Sequence, residues 1–510
     1  MPAILSAAEA VATIPDGSTV AVSGFVGAGH PELLTTALEQ RFLESHSPRD
    51  LTLLYAAGQG DGKDRGLNHL AHEGLVKRVV GGHWNLAPKL GELALKNKIE
   101  AYNFPQGVVC QLFREIAGKR PGLITKVGLN TFIDPANDGG RLNECTTEPL
   151  IERLELDGET WLLYRSFPIT VALIRATTAD RQGNLSVERE GLIGDILPIA
   201  QAAHNHGGIV IAQVERIIDR IADPKAVRVP GILVDSLVEV PAGSLGQEQT
   251  FAESFNEAFV VSGSRDEAAA SLTPLPFSFR KIIAWRALRE IQAGNIVNLG
   301  IGMPEGVASV AAESGRLGEF TLTVESGPIG GVPAGGLSFG CSHFPDAIID
   351  QPSQFDFYDG GGIDLAALGA IEIDEQGSVN VTQYGKRFTG VGGFANISQH
   401  ARRIVFCAPL RAKGLEIEIE AGQLRVISEG QLPKFVKRVG QVAFHGPSAI
   451  DRGQEVLYVT ERAVFRLTRQ GLALIETAPG VDLQTQILDQ MEFTPLIENP
   501  SLMPVECFQI

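Results

Sequence analysis

The chain carries one order of motifs twice, and a polypeptide built that way folds as two copies of one architecture. Near the start, IPDGSTVAVSGFVGAGHPELLTTALE reads as a turn at Asp16-Gly17, an apolar strand over 18–23, a glycine turn and a helix entered at Pro31. Later, IQAGNIVNLGIGMPEGVASVAAE repeats the order, with Gly294 in the turn, a strand over 295–299, Gly300-Ile301-Gly302 and a helix entered at Pro304. Proline suits a first helical turn because the N–H it lacks would have had no helical partner. The next strands also correspond, LTLLYAAG over 51–58 with FTLTVESG over 320–327. A third pair, ADRQGNLSV over 179–187 and IDEQGSVNV over 373–381, sets an acid and a glycine in a hairpin turn between alternating residues.

Short, continuous β-branched runs such as GGIVIAQV over 207–214 and RRIVFCAP over 402–409 suit strands covered by helices on both faces. The expected class is therefore α/β, as two duplicated open halves with parallel-rich sheets. Between the second and third markers the first half is much longer, which predicts an insertion near 60–150. The stretch SRDEAAASLTPLPF over 264–277 is small, polar and twice interrupted by proline, the composition of a linker. The expected domains are 1–265, a linker over 266–277, and 278–510.

Charge and composition exclude several classes of function. Lys and Arg number 43 against 60 Asp and Glu, a net charge of −17 with no long basic block, so nucleic acid is not an expected partner. The N-terminal stretch has an acid at Glu9 and no basic region, and nowhere do 18 apolar residues run together. Neither a signal peptide nor a membrane span is expected, and the default location is cytoplasmic. The five cysteines (Cys110, Cys145, Cys341, Cys407, Cys507) form no CxxC pair and read as buried thiols in a reducing compartment. His30, His69, His72, His83 and His343 have no metal-ligand spacing, so no metal is expected. Glycine is in excess, 57 of 510 or about 11% against a usual 7%, as happens where backbone must come close to something.

Aligning the halves sets Ala56 opposite Glu325, so only the second copy carries a carboxylate there. Glu325 directly follows a strand and precedes SGPIGG, the place where open α/β sheets bind ligands. On position alone it fits a structural acid, capping a helix or pairing with an arginine, as well as a catalytic one; the surrounding glycines favour function. The turn Gly300-Ile301-Gly302-Met303-Pro304 offers free N–H groups to an anion or a carbonyl oxygen, but it lacks the GxGxxG spacing of dinucleotide folds. Two more glycine loops follow, Asp359-Gly360-Gly361-Gly362 and Gly390-Val391-Gly392-Gly393-Phe394, the latter behind the basic pair Lys386-Arg387.

The combination of SGFVGAGHPELL, NLGIGMPEG, VESGPIGG and GVGGF resembles family I CoA-transferases in the single-chain form that fuses the α and β subunits. The segments over 56–84 and 104–135 look closer to the acetate and propionate subgroup than to the 3-oxoacid subgroup, whose SENG motif and paired asparagines are here VESG and Ala56-Ala57. The resemblance implies two open α/β halves of the NagB/RpiA type, an α-subunit-like first domain and a β-subunit-like second domain carrying the nucleophile. It implies that Glu325 becomes a glutamyl-CoA thioester in ping-pong transfer of CoA between short-chain acids, acetyl-CoA and propionyl-CoA among the donors. Asn298, Ile301, Gln106, Gly27 and Gly29 would form the oxyanion hole and acyl pocket. Gly300, Ile301, Gly302, Met303, Pro304, Gly392, Gly393 and Lys386 would hold CoA, which is a substrate; no prosthetic group is implied. A dimer or tetramer of identical chains is the expected assembly. Two alternatives remain open from the residues themselves: acyl-CoA hydrolysis with Glu325 as base, and a CoA-sensing protein on an inactive scaffold. The glycines and buried amides of these motifs also fit plain structural roles, and Lys386-Arg387 fits a solvated surface pair.

Overall fold

The computed structural model describes every residue except Ala242, Leu245, Lys386 and Ile510. Its contacts divide it into two compact units, Met1–Gly263 with Val324–Asp356 and Lys386–Asn396, and Ser264–Thr323 with Phe357–Gly385 and Ile397–Ile510. Two segments of the second half, those bearing Glu325 and the GVGGF loop, thus pack into the first unit. Contiguity along the chain and compactness in space do not coincide.

In the first unit, β1 (Thr19–Val22), β2 (Leu51–Tyr55), β3 (Val171–Asp180), β4 (Ile209–Ile218) and β5 (Ser236–Glu239) run parallel in the order β2-β1-β3-β4-β5. Strands Val76–Gly81 and Glu100–Asn103 extend the sheet beyond β2, and Ala3–Ile4 extends it beyond β5. Val20, Val22, Leu51, Leu53, Val171 and Leu173 fill one face, while the alternate residues Ala21, Leu54, Ala172 and Ile174 are also buried. Both faces are covered, which is why these strands are continuously apolar. Helices α1 (Glu32–Ser45), α2 (Gln106–Ala117) and α3 (Ile196–Asn205) belong to this unit.

The second unit repeats the topology. Strands β6 (Ile296–Leu299), β7 (Thr321–Thr323), β8 (Leu365–Gly369), β9 (Arg403–Cys407) and β10 (Glu455–Val459) are parallel in the order β7-β6-β8-β9-β10. The hairpin turns match atom for atom. Asp180 Oδ1 accepts the N–H groups of Gln182 and Asn184, and Asp374 Oδ1 those of Gln376 and Ser378. Gly183 and Gly377 take left-handed φ values of 89° and 75° at the same place.

Three sequence expectations are refined. Helix α4 (Gly306–Glu313) starts two residues after Pro304, because Val307 N–H bonds to Pro304 O in a tighter turn first. The stretch between β2 and β3, where an insertion near 60–150 is expected, runs on past 150 into an antiparallel sheet of Gly122–Thr125, Ile151–Leu156 and Glu159–Arg165. The segment read as a linker begins as a helix, Arg265–Ala270, because Ser264 and Glu267 form a capping box.

Candidate active site

Glu325 stands at the tip of a tight turn just past β7. Val324 N–H donates to Pro328 O and Gly327 N–H to Val324 O, both at 3.0 Å. Gly327 has φ +130°, and a Cβ there would lie 2.0 Å from Ile349 O, so only glycine closes the turn. Ser326 Oγ donates to Gly340 O at 2.5 Å, and Ile349 N–H returns a bond to Gly327 O at 3.1 Å. Glu325 as a whole is 9% exposed.

The first glycine loop packs against this turn. Phe25, Val26, Ala28, Ala57 and Leu192 share one buried cluster with Val324, Phe339 and Cys341. Phe25 and Ala28 exchange backbone hydrogen bonds at 2.9 Å, which forces Val26 to φ +53°, an unusual conformation for a β-branched residue. Bonds from Val26 N–H to Gly58 O and from Gly60 N–H to Val26 O hold it there. A Cβ on Gly27 would lie 2.6 Å from Leu337 O, and Gly29 has φ +67°. The N–H groups of Gly27 and Gly29 make no hydrogen bond among the described residues.

The GVGG loop belongs to the same unit. Val391 N–H donates to Asn103 Oδ1 at 2.9 Å and Gly392 N–H to Gly82 O at 2.8 Å, while Gly392 O accepts from Gln106 N–H at 2.9 Å. These bonds fix the loop, and they leave the N–H groups of Gly390 and Gly393 without an acceptor among the described residues. Gln106 and His83 flank Gly392: a Cβ on Gly392 would be 3.8 Å from Gln106 Oε1 and 3.7 Å from His83 Cδ2. Burial pushes His83 down to about 4, so its ring is neutral at pH 7. Sequence reasoning weighed His83 only as a metal ligand. The signal available was its place just past the strand Val76–Gly81, at a carboxyl end like that of Glu325.

The remaining expected residues lie in the second unit. Asn298 is 1% exposed, and its Nδ2 donates to Thr323 O at 3.3 Å and to Tyr358 Oη at 3.4 Å, tying β6 to β7. Gly300 N–H bonds to Ala367 O, and Gly302 O accepts from Arg280. Ile301 is 57% exposed at the turn, Met303 packs on the core, and Pro304 precedes α4. Lys386 lies outside the described residues. The glycine triplet 360–362 ends helix α5 (Gln351–Asp359). Gly361 N–H caps Tyr358 O and Gly362 N–H caps Phe357 O, so these donors are already used.

Another group of histidines fixes the start of α1. His30 Nδ1 bonds Gln59 Oε1 at 2.7 Å, and burial pushes its pKa down to about 4. Glu32 accepts from Gly66 N–H at 2.9 Å, Arg65 Nε at 3.2 Å and His69 Nε2 at 3.2 Å. Burial pushes the Glu32 carboxyl up, but the bond from His69, the nearby histidines and the Gly66 N–H outweigh it and hold it at about 2.

Residues 4–240 match the family described as Coenzyme A transferase. The chain is 46% identical over 503 residues to a caffeate CoA-transferase of Acetobacterium woodii, covering 98% of this chain and 95% of that one. It is 44% identical over 502 residues to the acetate CoA-transferase YdiF of Escherichia coli K12, covering 98% and 93%. Its structure superposes with a TM-score of 0.92, at 42% identity and covering 99% and 96% of the two chains, on the acyl-CoA transferase YdiF of E. coli O157:H7 crystallised as a thioester complex with CoA.

Proposed function

Because this chain belongs to the coenzyme A transferase family, we propose that it moves CoA between short-chain carboxylic acids, acetate and propionate among them, with Glu325 as the nucleophile. Its carboxylate attacks the thioester carbonyl of acyl-CoA; the C–S bond breaks, giving a mixed anhydride and CoA thiolate. The thiolate attacks the glutamyl carbonyl, breaks the anhydride C–O bond and releases the donor acid, leaving a glutamyl-CoA thioester. An acceptor carboxylate then runs the sequence in reverse. The unpaired N–H groups of Gly27, Gly29 and Gly393 are the donors for the oxyanions formed, and Gln106 and Asn298 complete the acyl pocket. CoA is held by 300–304, Gly392, Gly393 and Lys386, without any prosthetic group.

The observation that carries this reading is the buried turn that presents Glu325 against a glycine loop with unused N–H donors. The full-length relatives named above are transferases, which favours transfer over hydrolysis. The proposal includes a duplicated ancestry with the junction at 266–277, a cytoplasmic location and a homo-oligomer of two or four chains, the last checked by light scattering. No described helix is long and apolar enough to cross a membrane. Incubation with acetyl-CoA followed by mass spectrometry tests the central step. A CoA-sized adduct on the peptide holding Glu325 supports it, and CoA release without any acceptor acid replaces it with hydrolysis.

A further inference from the structure

Four buried side chains next to the catalytic turn hold polar atoms with no partner among the described residues. They are Gln351 and Gln354, each with both Oε1 and Nε2 unmatched, Asp195 with Oδ1, and Gln106 with Nε2. None is more than 3% exposed. Buried amides are nearly always satisfied, and six unmatched atoms in one region call for a ligand group.

Backbone bonds and one ring contact link these residues to the turn that carries Glu325. Gly327, two residues past Glu325, is bonded to Ile349, two residues before Gln351. Gln351 N–H donates to Gly194 O at 3.0 Å, which brings the start of α5 beside Asp195 at the start of α3. Gln351 and Gln354 share a helix face, as residues three apart do, and Phe355 on that side packs where a Cβ on Gly107 would be 2.4 Å from its ring. That contact joins α5 to the first turn of α2, where Gln106 stands. Cys110, one turn on from Gln106, lies in the fields of both Asp195 and Asp350.

The unmatched set contains donors (three Nε2 groups) and acceptors (two Oε1 atoms and Asp195 Oδ1). An alkyl chain matches neither. A carboxylate or keto oxygen only accepts, and it would leave the Oε1 atoms and Asp195 unmatched. A hydroxyl donates one hydrogen and accepts on two lone pairs, so it meets one of the acceptors as well as two of the donors, which neither of the other groups does. We propose that Gln351, Gln354 and Asp195 are specificity-determining residues of the acyl pocket, reading a hydroxyl on the acid whose carboxyl reacts at Glu325. This inference rests on the CoA-transfer reading.

The test compares kcat/KM for matched acceptor acids, hydroxylated and not, of three and four carbons, with acetyl-CoA as donor. A site built to bond a hydroxyl rejects the acid that lacks it, so the unsubstituted enzyme is expected to prefer the hydroxy acids by tenfold or more. In Gln351→Met, Gln354→Met and the size-conserving Asp195→Asn that ratio is expected to fall at least fivefold, whatever happens to the absolute rates. A purely structural role would slow both acids alike, so an unchanged ratio in the variants overturns the inference. Should none of the variants fold, a ratio near one in the unsubstituted enzyme, as follows if these atoms bind only water, overturns it equally. Thioester formation with acetyl-CoA is measured in parallel on the unsubstituted enzyme: its absence defeats the transfer reading, whereas its presence with a ratio near one defeats only this inference.

Discussion

Gln106 N–H donates to Gly392 O at 2.9 Å, and Gly392 N–H donates in turn to Gly82 O at 2.8 Å, so the first turn of α2, the GVGG loop and the end of strand Val76–Gly81 are one hydrogen-bonded piece. The piece presents Gln106, His83 and the Gly393 N–H with little freedom to rearrange. Preorganisation of this kind lets backbone donors stabilise a developing charge without reorganisation during the reaction.

Replacing Glu325 removes the proposed nucleophile while the backbone bonds that close its turn, Val324 N–H to Pro328 O and Gly327 N–H to Val324 O, stay in place. Glu325→Ala should lower kcat/KM by roughly a thousandfold or more, the scale of nucleophile removal, while thermal unfolding shifts little. Coupled assays of CoA transfer and calorimetry check the two halves of this expectation. Retained turnover would remove Glu325 from the mechanism.

Glycines at the site should separate by what a Cβ would meet. Gly327→Ala places a methyl 2.0 Å from Ile349 O at φ +130°, so the turn must open. It should destabilise by about 3 kcal/mol or more and abolish transfer, the combined result of a backbone clash and a forbidden φ. Gly392→Ala has room, its nearest neighbour at 3.7 Å, and meets only the left-handed strain of φ +52°, about 1–2 kcal/mol. Equal losses in the two variants by urea unfolding would contradict these contacts.

Asp195 gives a pH signature. Burial, and then the charge of Asp350, push its carboxyl up to about 7 in the folded protein. The unfolded chain ionises near pH 4, so between about pH 4 and 7 the folded state holds one proton more. Stability from this group therefore falls as pH rises across that window, by up to roughly 1.4 kcal/mol per unit. Asp195→Asn should remove the slope, becoming relatively more stable than the unsubstituted protein from pH 5 to 8. Parallel pH–stability curves would refute the shifted carboxyl.

Glu32 predicts the opposite trend at lower pH. Held at about 2 when folded, it contributes stability above its ordinary value near 4.5 and loses it as pH falls toward 2. Glu32→Gln leaves His69 and Arg65 without their shared carboxylate and should cost about 2–3 kcal/mol at pH 7, with much less loss at pH 3. A cost independent of pH would show that the charge is not what holds the loop.

The duplicated α/β plan was legible because its signals are local: apolar strands, glycine turns, a proline at a helix start and the Asp-Gly hairpins at Asp180 and Asp374. Glu325 was legible for the same reason, as an acid directly after a strand whose counterpart is Ala56. The rest depends on contacts between residues far apart in sequence. Nothing local tells that the 360–362 glycines terminate a helix while Gly393 keeps a free N–H, or that Asn298 is tied to Thr323 and Tyr358. Gln351 and Gln354 look like ordinary helical glutamines until burial strips them of water. The strained φ of Val26 is held in place by a loop 32 residues onward, at Gly58.

The buried cluster joining Phe25, Val26 and Leu192 to Val324, Phe339 and Cys341 makes the two halves of the gene product mutually dependent. A polypeptide ending before residue 264 would lack part of its own interior, and the remainder would carry the Glu325 turn without the first-half residues that pack against it. An ancestor encoded as two separate genes could therefore have functioned only by co-assembly, and fusion would have fixed their ratio at one to one. Cutting the chain within 264–277 and mixing the fragments would replay that history, with activity returning only when both are present.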